Sequence, residues 1–75
     1  MWHKEENSLR KKYSFTTFKE ALNFVNRVAE LAEQSNHHPN IYIHNYNQVT
    51  IQLTTHSERR ITSLDYHLAD QLDLL

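Results

Sequence analysis

The chain has no cysteine and no glycine, a single proline and no long apolar run. Without cysteine there are no intramolecular disulfides, no thiolate nucleophiles and no cysteine-ligated zinc sites. Without glycine, tight turns fall to residues that carry a Cβ, among which asparagine tolerates turn geometry best. A strong charge of either sign is also missing. Eight Lys and Arg oppose nine Asp and Glu, a formal net charge of −1, which gives no support for nucleic-acid binding driven by bulk charge. No stretch approaches the ~18 apolar residues of a membrane span, and Met1-Trp2-His3-Lys4-Glu5-Glu6 lacks the apolar segment of a signal peptide. The expectation is a soluble, cytoplasmic protein with neither membrane nor nucleic acid as a partner. At 75 residues the chain fits one small domain with a thin core. Such chains bury roughly 60% of the surface they expose when unfolded, so self-association is expected. What the chain does have in quantity is histidine, six residues of the 75.

Residues 1–8 are polar apart from Met1 and Trp2 and read as a loosely held lead-in, with 9–75 as a single domain. From Leu9 to Phe15 the apolar groups Leu9, Tyr13 and Phe15 alternate with polar ones, Lys11 interrupting the apolar side, as in a half-buried strand. Thr17-Phe18-Lys19-Glu20 has the form of a capping box and predicts a helix start. The stripe Phe18, Ala21, Leu22, Val25, Val28, Ala29 and Ala32, widened by Phe24 and Leu31, carries that helix to about Ser35, where Pro39 lies close ahead. Ile41 and Ile43, then Val49, Ile51 and Leu53, alternate with polar residues. They predict a hairpin turning through Asn45-Tyr46-Asn47-Gln48. Thr62-x-x-Asp65 offers a second helix cap, followed by an apolar stripe of Ile61, Leu64, Leu68, Ala69 and Leu72. The order strand, helix, strand, strand, helix defines an α+β domain, a small antiparallel sheet with helices packed on one face and a polar opposite face.

The register of such a hairpin brings the start of its first strand beside the end of its second. His37 and His38, just before Pro39, should therefore meet His56 at one sheet end, with Glu33 and Asp65 within reach. Imidazole exchanges protons near neutral pH, and a neighbouring carboxylate fixes its tautomer and raises its basicity. This set suits acid/base chemistry on a bound small molecule, since no serine sits in a nucleophile elbow. Two plainer readings use the same residues. The histidine pair before proline is also what a solvated loop looks like. Zinc held by His37, His38 and His56 with Glu33 or Asp65 is the other alternative, although adjacent histidines on extended chain point to opposite sides. His44 reads as a residue of the wet sheet face and His67 of the outer helix surface. Arg10-Lys11-Lys12 reads as a solvated strand edge. Tyr42 and Tyr46 suit either stacking on a planar ligand or packing.

The spacing Glu33-x3-His37-His38-Pro39, followed by Tyr46, His56 and Asp65, resembles the signature of the pterin-4a-carbinolamine dehydratases. The flanks are similar too, in Phe15-x2-Phe18, Asn47-x-Val49, Leu53-Thr54-Thr55-His56 and Leu68-Ala69. The resemblance implies dehydration of 4a-hydroxytetrahydropterin to quinonoid dihydropterin in tetrahydrobiopterin recycling. It implies no cofactor and no metal, a homodimer or homotetramer, and an aromatic amino-acid hydroxylase as metabolic partner. It further implies that His37, His38 and His56 are catalytic, His37 and His56 moving protons and His38 orienting substrate. Asn36, Thr54, Thr55 and Ser57 would complete the substrate-binding wall with the histidines, and Glu33 and Asp65 would be supporting carboxylates. Some family members also act as coactivators, so a non-catalytic dimerisation module of the same fold is the alternative function. Relative to the family, a helical segment ahead of Trp2 is missing, and Arg59-Arg60 stands where glycine is common, so the loop there is expected to differ.

Overall fold

A computed structural model describes all 75 residues. The elements are β1 (His3–Glu5), β2 (Ser8–Ser14), α1 (Phe18–Ser35), β3 (Asn40–His44), β4 (Gln48–Leu53) and α2 (Ser63–Leu72). The strands form one antiparallel sheet in the order β1-β2-β4-β3. Pairing of Leu9 with Leu53, Tyr13 with Val49 and Ile41 with Ile51 puts the apolar residues of three strands on one face. Ala21, Phe24 and Val28 of α1 and Leu68, Ala69 and Leu72 of α2 close over that face in a single core cluster. Fully burying a side chain such as Ile51 or Leu53 contributes about 1.5–3 kcal/mol. The α+β architecture with both helices on one face is as the sequence predicts.

The helix starts follow from the caps. At α1, the Glu20 N–H donates to Thr17 Oγ1 at 3.1 Å and the Thr17 N–H donates back to Glu20 Oε1 at 3.2 Å. α1 ends at Asn36, whose left-handed backbone (φ 50°, ψ 40°) lets its N–H reach the carbonyls of Ala32 and Glu33. Asparagine fills there the position that glycine usually takes. The hairpin turn has positive φ at Asn45 and Tyr46, so the second left-handed residue is a tyrosine rather than Asn47. The Asn47 side chain instead donates to the Phe15 carbonyl at 3.0 Å and ties the turn to the end of β2.

Four expectations are corrected. Residues 1–8 are not a lead-in outside the packed structure, because β1 pairs with β2 and Trp2 Nε1 donates to Asp73 Oδ1 at 3.0 Å. Of Arg10-Lys11-Lys12, Arg10 is consequently paired on both sides, with His3 and Gln52, whereas Lys11 and Lys12 extend past the last β1 pair. Lys11 faces the helices, with its ammonium 2.8 Å from the Asp73 carboxylate and 5.0 Å from the centre of the Tyr13 ring. The buried stripe of α1 runs through Ala21, Phe24, Val28 and Ala32, leaving Phe18, Leu22 and Ala29 exposed. In α2, Leu64 is 50% exposed and the buried position one residue later belongs to Asp65. The helix turns its capping carboxylate inward, and Leu64 is carried to the flank.

No helix is long and apolar enough to cross a membrane.

Candidate functional site

Asp65 is the one charged residue with no solvent exposure, and ionised groups are buried only when partners satisfy them. Three donors do so here. The Thr62 N–H reaches Oδ2 at 2.9 Å, the Thr55 hydroxyl donates to the same oxygen at 2.8 Å, and His37 Nε2 lies 2.6 Å from Oδ1. The Thr62 hydroxyl is 2.6 Å from that of Thr55 and accepts from the Leu64 N–H at 3.3 Å. Three stretches of chain thus meet on one carboxylate: the turn after α1, the residues following β4, and the first turn of α2.

The geometry fixes the chemistry available to His37. A carboxylate offers acceptors only, so the ring nitrogen facing it carries the proton. The neutral His37 ring that this contact selects is the Nε2–H tautomer, in which Nδ1 is the nitrogen that can accept a proton. Its backbone is fixed too, with the His37 N–H donating to the Ala32 carbonyl at 3.1 Å. The ring is largely buried, with 11% of the side chain exposed.

His38 turns the other way, as alternation along extended chain requires. Its Nε2 sits 2.5 Å from Glu33 Oε2, and both side chains are mainly exposed. Each candidate carboxylate is therefore bonded to one histidine of the doublet, Asp65 inside and Glu33 outside. No three His, Asp or Glu side chains gather in a metal-ligating group, so the shared-ion arrangement weighed from the sequence is not formed.

His56 and Ser57 are exposed in the turn that begins at Thr55. The Thr55 carbonyl accepts from the Glu58 and Arg59 N–H groups at 3.0 and 2.8 Å, and the Thr55 N–H donates to the Arg60 carbonyl at 3.1 Å. His56 is thus the residue immediately after the hydroxyl that grips Asp65. Arg59 has φ 56°, a left-handed conformation that explains why glycine suits this position. Thr54 points away from Thr55, its hydroxyl donating to the Asn7 carbonyl at 2.7 Å. Asn36 is exposed at the end of α1. His44 lies on the wet sheet face, 2.9 Å from the Thr50 hydroxyl. The largest open groove of the surface, about 720 Å³ between Phe15, Arg27 and Leu75, is lined by none of these residues.

Thr62 is the site residue that sequence reasoning assigned only to capping. Its signal was present in the capping box itself, because a box whose acidic member is buried places the capping hydroxyl inside as well.

A two-layer α+β domain with a carboxylate-anchored histidine at the junction of its helices and sheet is the class that fold and site define. The family model described as pterin 4 alpha carbinolamine dehydratase matches residues 1–75, and the chain belongs to that family. It is 46% identical over 74 residues to a protein of Sulfurisphaera tokodaii provisionally named pterin-4-alpha-carbinolamine dehydratase, covering 99% of this chain and 78% of that one. It is similar to a solved chain described as a transcriptional coactivator/pterin dehydratase from Brucella melitensis, with TM-score 0.89 and 32% identity over 97% of this chain and 79% of the other. The same fold occurs in a pterin dehydratase-like protein identified as a RuBisCO assembly factor in the alpha-carboxysome, with TM-score 0.76 and 21% identity over 99% of this chain and 84% of that one.

Proposed function

We propose that this chain dehydrates 4a-hydroxytetrahydropterin to quinonoid dihydropterin and water, a step in tetrahydrobiopterin recycling after an aromatic amino-acid hydroxylase. The observation that carries the reading is the buried Asp65 that holds His37 by Nε2. In this reading His37 Nδ1 takes the proton from a ring nitrogen of the substrate. The N–H electron pair forms the new C=N bond, and the C4a–O bond breaks with its pair going to oxygen. His56, in its protonated form, delivers the proton that turns the departing hydroxyl into water. One proton is taken and one given, so the protein needs no electron sink and no cofactor of its own. Positioned groups of this kind contribute ~10²–10⁴-fold each. His38 orients the substrate with Glu33 steadying it, and Asn36, Thr54 and Ser57 supply wall contacts.

The test is the decay of 4a-hydroxytetrahydropterin absorbance with and without protein. His37→Ala and His56→Ala should each lower turnover at least a hundredfold with unchanged circular dichroism. Wild-type rates in either variant overturn the roles.

Self-association belongs to the same reading. β3 is an edge strand with neither charge nor proline, Tyr42 and Ile43 are exposed on it, and α1 leaves Phe18 and Leu22 exposed. Such an edge is a ready template for pairing with another chain. A homodimer joined there is the form in which we expect the cytoplasmic protein to act. The same surface favours the second reading, a non-catalytic interaction module, which predicts oligomer formation with no pterin turnover.

A further inference from the structure

We propose that Thr55 is a positioning residue for His37 and that the Thr62 hydroxyl locks it in that role. The inference deepens the dehydratase reading and rests on it for its kinetic arm. Counting hydrogens carries the argument. Thr55 is buried, and its hydroxyl has one hydrogen, donated to Asp65 Oδ2 at 2.8 Å. The Thr62 oxygen, 2.6 Å away, must then be the donor to Thr55, because the Thr55 hydrogen is already committed. Thr62 keeps its lone pairs for the Leu64 N–H. The chain of bonds therefore has a single polarity, from the Leu64 amide through the Thr62 and Thr55 hydroxyls to Asp65 Oδ2. His37 Nε2–H meets the carboxylate from the other side at Oδ1. The polarity cannot reverse, because Asp65 Oδ2 only accepts, and turning the Thr55 hydrogen toward Thr62 would leave two oxygens 2.8 Å apart with no proton between them.

The consequence is geometric. Asp65 is gripped at Oδ2 by a side-chain hydroxyl and by the Thr62 amide, so the plane of its carboxylate is fixed. The direction of Oδ1, and with it the orientation of the His37 ring and its free Nδ1, is fixed in turn. Thr55 cannot offer its hydroxyl hydrogen to a substrate while this chain is intact. Its part is to aim the base, not to line the pocket.

Thr55→Val keeps the shape and removes the hydroxyl, whereas Thr55→Ser restores the hydroxyl. In ¹⁵N-labelled protein without substrate, the His37 Nε2–H proton should be a slowly exchanging signal in the wild type. Its exchange should rise about tenfold in Thr55→Val, the effect of one lost hydrogen bond to a charged group, and return in Thr55→Ser. Thr62→Gly, which retains most of the capping energy, should move exchange in the same direction as Thr55→Val, and it serves as the second variant should Thr55→Val not fold. In the turnover assay Thr55→Val should lower kcat with KM little changed. A wild type without a protected His37 N–H, variants with unchanged exchange, or a Thr55→Val enzyme with raised KM and unchanged kcat would each overturn the assignment. A wild-type chain that fails to turn over the pterin refutes the proposed function instead, and the exchange measurement still decides the role of Thr55.

Discussion

Replacing Asp65 with asparagine tests the site with one atom. The amide oxygen takes the place of Oδ2, where it still accepts from the Thr55 hydroxyl and the Thr62 N–H. Those two bonds change from charge-assisted to neutral, each losing about 1 kcal/mol, so the variant should be destabilised by about 2 kcal/mol. The amide NH₂ now faces His37 Nε2 in place of Oδ1. Two donors cannot share a bond, so the imidazole must move its proton to Nδ1. The nitrogen that should accept the substrate proton is then occupied, and kcat should fall by ~10²–10⁴-fold, the usual worth of a positioned base. Asp65→Ala is the control. It leaves three donors unsatisfied around a cavity, with a cost of about 3–5 kcal/mol. Urea denaturation separates the two costs, the absorbance assay gives the rate, and ¹⁵N shifts of His37 report its tautomer. An asparagine variant that turns over within threefold of wild type would refute the base assignment, and one as unstable as the alanine variant would refute the orientation argued for the amide.

The exposed Glu33–His38 pair should contribute little to stability, so His38→Ala should leave the urea midpoint almost unchanged while raising KM if the ring orients substrate. The hydrogen bond from Lys11 holds the Asp73 carboxyl below its ordinary value, against an opposing effect of burial and with further help from Trp2. Its contribution is therefore present above the usual carboxylate range near pH 4 and is lost as pH falls through it, and Asp73→Asn should flatten the acid limb of a stability-against-pH curve. Burial, and then the charge of Asp73, push the Tyr13 phenol well above the tyrosine value of about 10. Stability tied to Tyr13 is full below that value and declines above it, so ultraviolet titration should show this phenol ionising only as the chain unfolds. Ile43→Lys, at the exposed edge, should yield monomer in analytical ultracentrifugation, and an unchanged oligomer would exclude the β3 interface.

The elements that local rules govern were legible in the sequence. Both capping boxes formed at Thr17 and Thr62, α1 ended at Ser35, and the two hairpin strands took the expected faces. What escaped was set by tertiary partners. β1 carries no apolar alternation, since its three residues are all exposed. It exists because β2 offers a free edge and because Trp2 finds Asp73, 71 residues away in sequence. Lys11 looked like a break in an apolar face. The opposing charge of Asp73 and the Trp2 ring that help make it tolerable there come from the two ends of the chain, joined by the Tyr13 ring of its own strand.

The site divides along the same line. That His37 and Asp65 belong together was readable from spacing within a familiar signature, but the burial of Asp65 was not, because polarity alone assigns aspartate to the outside. The helical pattern did contain the correction. Asp65 stands three and four residues before Leu68 and Ala69 and seven before Leu72, all three buried. It therefore shares their face, and a capping carboxylate on that face must find donors inside the fold. A histidine fixed at the end of α1, the hydroxyl of Thr55 and the backbone N–H of Thr62 supply them. Burial of the cap and orientation of the base are thus one structural event, and a substitution that lets α2 rotate should disturb His37 even where it touches no residue of the site.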